Sequence, residues 1–134
     1  MCDSIVIAVA INSSNNALLP SEVRIEIIQD AIADMPGVSV AEFDGLLVDF
    51  VIEQQADCII RGLRAISDFE YEFQMALMNR QLQPTVETIF LMPSQEYIFL
   101  SSRIIKEIAN TGNDVRNFIS EKAAEAIEKK LGSK

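Results

Sequence analysis

Ile5–Ile11 (IVIAVAI) is an unbroken apolar run rich in β-branched residues, the pattern of a strand covered on both faces. A polar stretch, Asn12–Asn16, follows. Over Ser21–Asp34 the apolar positions change period: Val23, Ile27 and Ala31, with Ile28 and Ile32 beside them, form the stripe of an amphipathic helix, which Gly37 closes. Val38–Phe43 predicts a second strand, Leu46–Gln55 a helix, and Cys58–Arg61 a third strand ending in Arg-Gly. Asp68–Leu82 has the length and composition of a helix, with Pro84 just beyond it, and Thr88–Met92 is a fourth strand stopped by Pro93. Ser101 or Ser102 can cap a helix running to Asn110 that stops at Gly112. Ser120 caps the last helix, where Glu121 and Glu125 come early and Lys129 and Lys130 late, as the macrodipole prefers. Apolar strands alternating with helices predict an α/β fold, a doubly wound parallel sheet with helices on both faces. No linker, repeat or low-complexity tract divides it, so residues 1–134 are expected to form a single domain. The chain opens almost directly on a strand, whereas such sheets usually open with a strand–loop–helix unit that builds the ligand site.

Composition narrows the choice of function. Apolar residues make up 49% of the 134 and charged residues 23%, which predicts a compact globular protein. No apolar run reaches the roughly 18 residues that span a bilayer and no leader precedes a cleavage site, so a cytosolic location is expected. Cys2 and Cys58 then fit as free thiols. A formal net charge of −9 argues against a nucleic-acid surface, and makes any gathering of the eleven Lys and Arg informative. The chain has no histidine, which removes the usual general base, the commonest metal ligand and every His-containing triad.

Three segments could carry chemistry. In Ile60–Glu72 (IRGLRAISDFEYE), Arg61 sits where a strand ends, Gly62 lets backbone approach a ligand closely, and Arg64 follows. Ligands of open α/β sheets bind at the carboxyl ends of strands, and arginine forks match phosphate oxygens. The alternative is that Arg61 and Arg64 only pair with Asp68, Glu70 or Glu72. In Pro93–Glu107, Ser101 and Ser102 begin a helix, so they read either as an ordinary N-cap or as an anion site. Arg103, in the first turn, opposes the helix dipole but would serve beside a phosphate. Asp44–Phe50 (DGLLVDF) reads as core or as the wall of an uncharged ligand arm.

These segments together resemble one family. IIRGLRAISDFEYEFQMALMNR is similar to the signature run of bacterial phosphopantetheine adenylyltransferases, members of the nucleotidyltransferase superfamily with a Rossmann-like fold. The similarity extends through Val9–Asn12, FDGLLVDF at Phe43–Phe50 and ETIFLMPSQEYIFLSSRIIKEIA at Glu87–Ala109, and runs from Asp3 to Leu131. The resemblance implies an enzyme of coenzyme A biosynthesis that joins ATP and 4′-phosphopantetheine into dephospho-CoA with release of pyrophosphate, Mg²⁺ assisting, in a homohexamer. By position it implies that Arg61 holds the pantetheine phosphate and Leu47 touches the pantetheine arm. Gly62, Leu63, Arg64 and Glu72 would bind ATP, together with Tyr97, Ile98, Phe99, Leu100, Ser101, Ser102 and Arg103.

Two departures qualify the resemblance. The family's T/HxGH motif belongs to a first strand–helix unit, and Met1 falls near the end of that helix, so no residue is assigned a catalytic role. The family's basic pair, in a KKPLF-like stretch, is replaced by Asn15–Leu19 (NNALL), with Asn15 where the lysine would touch the reacting phosphates. The chain is therefore expected either to be the remainder of a longer protein or to be a shortened, near-inactive nucleotide- or CoA-binding relative. In the family, the first strand lies between those matching Ile5–Ile11 and Cys58–Arg61. Its absence is expected to leave two apolar edges open and the chain poorly soluble.

Overall fold

The computed structural model describes residues 1–11 and 16–132. Asn15, together with the stretch around it, lies outside the described residues. The elements follow in strict alternation: β1 (Ile5–Ala10), α1 (Ser21–Ala31), β2 (Val38–Phe43), α2 (Leu47–Glu53), β3 (Cys58–Gly62), α3 (Ile66–Leu82) and β4 (Glu87–Leu91). A single 3₁₀ turn (Gln95–Tyr97), α4 (Ser102–Asn110) and α5 (Glu121–Gly132) complete the chain. The α/β reading holds, with parallel strands separated by helices. The sheet, however, is in two pieces, each of two strands, β1-β2 and β3-β4.

The chain divides into two compact units, Met1–Asp44 with Ser101–Lys134, and Gly45–Leu100. In the first, β1 and β2 pair in parallel from Ile5 opposite Val38 to Ala10 opposite Phe43. Gly37 makes this register possible. Its φ of +79° is the left-handed conformation that glycine adopts without penalty, and a Cβ there would stand 3.0 Å from the Asp3 carbonyl oxygen. The Gly37 carbonyl in turn accepts a hydrogen bond from Ile5 N at 2.8 Å, which starts the ladder. Helix α1 packs on both strands and on α5, and α4 packs on α5. Val9, Ile105, Val115, Ala124 and Ile127 are buried here. Ahead of α5, Arg116 gathers three carboxylates: Asp114 at 3.1 Å, Glu121 at 2.9 Å and Glu128 at 2.5 Å.

In the second unit, β3 and β4 pair in parallel from Cys58 opposite Glu87 to Gly62 opposite Leu91. Val51 of α2, Ile59 of β3 and Val86 form a buried cluster, with Leu47 packed against it. Helix α3 lies on α2 and β4, and Phe69 makes an edge contact with Phe90 at 6.4 Å. Much of α3 stays uncovered: Ile66, Tyr71, Phe73, Leu77 and Met78 are exposed. Among the described residues no helix is long and apolar enough to cross a membrane, and both cysteines are free thiols.

Candidate functional site at the end of β3

Strand β3 presents Arg61 as its penultimate residue, and the chain then turns through Gly62–Ala65 into α3. Among the described residues, nothing stands within 4 Å of where a Gly62 Cβ would be, so they leave backbone at the end of the strand open to approach. Leu63 continues the ladder by donating its N–H to the Leu91 carbonyl at 2.9 Å. The turn into the helix is held by Asp68, in the first turn of α3, whose Oδ2 accepts from both the backbone N–H and the Nε of Arg64 at 3.3 Å. The Arg64 Nη1 also donates to the Leu100 carbonyl, tying the helix entrance to the end of the segment after β4.

Arg61 is held more firmly. Its Nε donates to Glu72 Oε2 at 2.8 Å and its Nη2 to Glu72 Oε1 at 2.5 Å, a two-point fork against a carboxylate. The Glu72 side chain is only 12% exposed and that of Arg61 46%, so the acid sits beneath and the guanidinium faces outward. Hydrogen bonding to Glu72 holds the Arg61 pKa above its ordinary value, against the opposing effect of burial. Two of about five guanidinium donors are thus engaged with protein, and those on Nη1 with one on Nη2 remain to meet a ligand. The ion pairs foreseen with Asp68 and Glu72 are therefore present. They orient both guanidiniums at the carboxyl end of β3, and they leave Arg61 with donors to spare.

The other predicted positions are distributed as follows. Leu47, the first residue of α2, is half-buried against Val51, Ile59 and Val86. Tyr97 ends the 3₁₀ turn, and Tyr97, Ile98 and Phe99 are exposed apolar side chains, with Leu100 half-buried. In the other unit, Ser101 rather than Ser102 is the N-cap of α4, its Oγ accepting from Ile104 N at 3.2 Å. Its hydroxyl is thereby used, while the first-turn N–H groups of Ser102 and Arg103 are free of intrahelical partners as at any helix start. Arg103 projects into solvent, 87% exposed, and pairs with Glu107 at 3.0 Å.

Sequence reasoning passed over Arg24. Its Nη2 reaches from α1 to the carbonyl of Ala10, the last residue of β1, at 3.1 Å. Its Nε is buried without a partner. Only its place on the inner face of α1 beside Val23 and Ile27 could have signalled a guanidinium at the carboxyl end of a strand. Among the described residues no group of three or more His, Cys, Asp or Glu is placed to hold a metal ion.

The cytidylyltransferase-like family profile matches residues 1–108. The protein named phosphopantetheine adenylyltransferase in Azoarcus sp. (strain BH72) is 46% identical over 132 residues, which is 98% of this chain and 81% of that protein. With parallel strands, intervening helices and an arginine-bearing turn after β3, the chain belongs to the cytidylyltransferase-like family and, within it, to the phosphopantetheine adenylyltransferases.

Proposed function

We propose that this chain binds ATP and 4′-phosphopantetheine and serves adenylyl transfer between them in coenzyme A biosynthesis. The observation that carries the reading is the outward-facing Arg61, oriented by Glu72 at the carboxyl end of β3 with donors left over. In the reaction, a phosphate oxygen of phosphopantetheine attacks the α-phosphorus of ATP. A P–O bond forms there as the bond to the β-phosphate oxygen breaks, and pyrophosphate leaves with the electron pair. Such a transfer needs positioning and neutralisation of developing charge, with no covalent enzyme intermediate. Arg61 takes the pantetheine phosphate, and Leu47 borders the pantetheine arm. By resemblance, Gly62, Leu63, Arg64 and Glu72 serve the nucleotide, as do the segment Tyr97–Leu100 and the α4 start at Ser101, Ser102 and Arg103. The exposed rings of Tyr97 and Phe99 suit stacking on a base.

Mg²⁺ would accompany the triphosphate rather than sit in a protein cage, since Mg²⁺ commonly binds through substrate phosphates. When bound it would supply neutralisation of phosphate charge. A homo-oligomer, a hexamer by resemblance, is supported by the exposed apolar residues of α3. A cytoplasmic location is supported by the free thiols.

A second reading is favoured by Asn15 standing where the resemblance expects a lysine: a ligand-binding relative with little turnover. Loss of one preorganised donor to developing charge costs about 10²–10³ in rate. Titration with ATP and with 4′-phosphopantetheine, beside a pyrophosphate-release assay, tests both readings. Binding of both ligands with turnover far below one per second is expected. Failure to bind either ligand would overturn the proposed function, and turnover of several per second would overturn the second reading.

A further inference from the structure

A groove of about 450 Å³ is lined by α1 and α5, within the unit formed by Met1–Asp44 and Ser101–Lys134. Small-molecule sites have volumes of roughly 300–1,000 Å³. The two walls differ in chemistry. Leu19 and Pro20, ahead of α1, continue into Val23 and Ile27 of the helix as an apolar strip. From Pro20 to Ile27 the strip runs for about 10 Å along the helix axis. Leu19, Val23 and Ile27 are only half-buried, so the strip keeps apolar surface that the fold leaves uncovered. The α5 wall carries Lys122, Lys129 and Lys130, and about two helical turns from Lys122 return the other two lysines to its side of the helix.

Cations are scarce in a chain of net charge −9, and most are already engaged. Arg61, Arg64, Arg80, Arg103 and Arg116 each pair with a carboxylate. Among the described residues, neither Lys122 nor Lys130 makes such a pair. Lys129 and Lys130 sit in the last turn of α5, where the helix dipole favours a cation. Lys122 sits in the first turn, where the dipole opposes it, so the helix itself gives no reason for its charge. Glu26 and Glu125 also line the groove. Three lysines against two glutamates leave a single net positive charge, which suits a singly charged head group and disfavours a polyphosphate.

We propose that this groove binds an aliphatic monocarboxylate of medium chain length, with its chain on the apolar strip and its carboxylate among the lysines. Burial of the chain supplies most of the affinity, because ion pairs at exposed lysines are screened by water. The lysines select the sign of the head group. None of the lining residues serves ATP or phosphopantetheine in the proposed function, so the site stands independently of that reading.

The test titrates the isotope-labelled full chain with octanoate, octylamine and butyrate, and follows backbone amide shifts by NMR. Octanoate is expected to saturate with a dissociation constant of about 0.1–1 mM, its shifts centred on Leu19–Ile27 and Lys122–Lys130. Octylamine, of like chain and opposite charge, is expected to bind about three- to tenfold more weakly. Butyrate, with a shorter chain, is expected to bind at least about tenfold more weakly. Replacing both Lys122→Gln and Lys130→Gln should bring octanoate and octylamine to within about twofold of each other. Ala126→Phe fills the groove and should weaken octanoate at least about tenfold. Val23→Asp, which puts a carboxylate on the strip, supplies that answer if melting shows the Phe variant to be unfolded. Octanoate shifts that do not saturate, or that scatter over the surface, would overturn the proposal. Octylamine binding the parent chain as tightly as octanoate would overturn it too, as would a preference for octanoate that survives in the double lysine variant. Octanoate affinity unchanged by the groove substitutions would put the ligand elsewhere and defeat the assignment.

Discussion

Replacing Arg61 by alanine separates a ligand-facing arginine from a purely structural one. The substitution removes a guanidinium whose side chain is 46% exposed and leaves the Glu72 carboxylate, 12% exposed, without its fork. Loss of a half-exposed ion pair costs about 0–1 kcal/mol. Leaving a mostly buried acceptor unpaired adds about 1–3 kcal/mol, reduced where water can enter the space vacated. The sum, on the order of 1–3 kcal/mol, lowers the melting temperature by several degrees without unfolding the chain at 25 °C. Binding suffers separately. Each charge-assisted hydrogen bond from guanidinium to phosphate is worth about 1.5–3 kcal/mol, so losing even one lowers affinity by about 10- to 150-fold. Titration with 4′-phosphopantetheine and with pantetheine, beside a melting curve, reads both effects. The alanine variant is expected to lose affinity for the phosphorylated ligand only. Phosphopantetheine affinity within about twofold of the parent, with the melting temperature lowered, would refute the reasoning and leave the Arg61–Glu72 pair as structure alone.

Gly37→Ala is expected to cost about 1–3 kcal/mol, because it forces a side chain into φ +79° and within 3.0 Å of the Asp3 carbonyl; a melting curve unchanged from the parent would contradict this. The Arg116 cluster predicts an acid dependence. Asp114 is held below the ordinary carboxylate range by the Arg116 backbone N–H first and the guanidinium second, and Glu128 by the guanidinium. Folded values lower than unfolded ones give stability that is fully present above the ordinary values of about 4 and is lost as pH falls through the folded values. Arg116→Ala should therefore flatten the acid limb of a stability–pH curve, and parallel limbs in parent and variant would count against the cluster.

The strands were the most legible part of the fold. β2 was predicted with its observed bounds, and β1, β3 and β4 to within a residue at each end, because short segments dominated by apolar residues between turn signals leave little choice. Helix ends were less so. α3 begins at Ile66, two residues before the predicted start, since Ile66 is exposed and extends no apolar stripe that could mark it. The 3₁₀ turn at Gln95–Tyr97 was missed, as three residues are too few to show a period. Division of the strands into two sheets has no signature within any one strand, for an apolar edge and an apolar interior read alike. At the candidate site the two arginines were legible from charge scarcity and position. Which acid would meet Arg61 was not, because that depends on how α3 is rotated, and rotation is set by what Phe69 and its neighbours pack against.

Pairing within each sheet has a kinetic consequence. Partner residues are 33 apart in sequence for β1 and β2 and 29 apart for β3 and β4, and one uninterrupted strand–helix–strand segment supplies each pair. No ladder bond has to wait for a distant part of the chain, and the entropy of closing a segment of this length rises only slowly with its size. Each crossover can thus form as soon as its own segment, Ile5–Phe43 or Cys58–Leu91, has left the ribosome, before helix α5 has been synthesised.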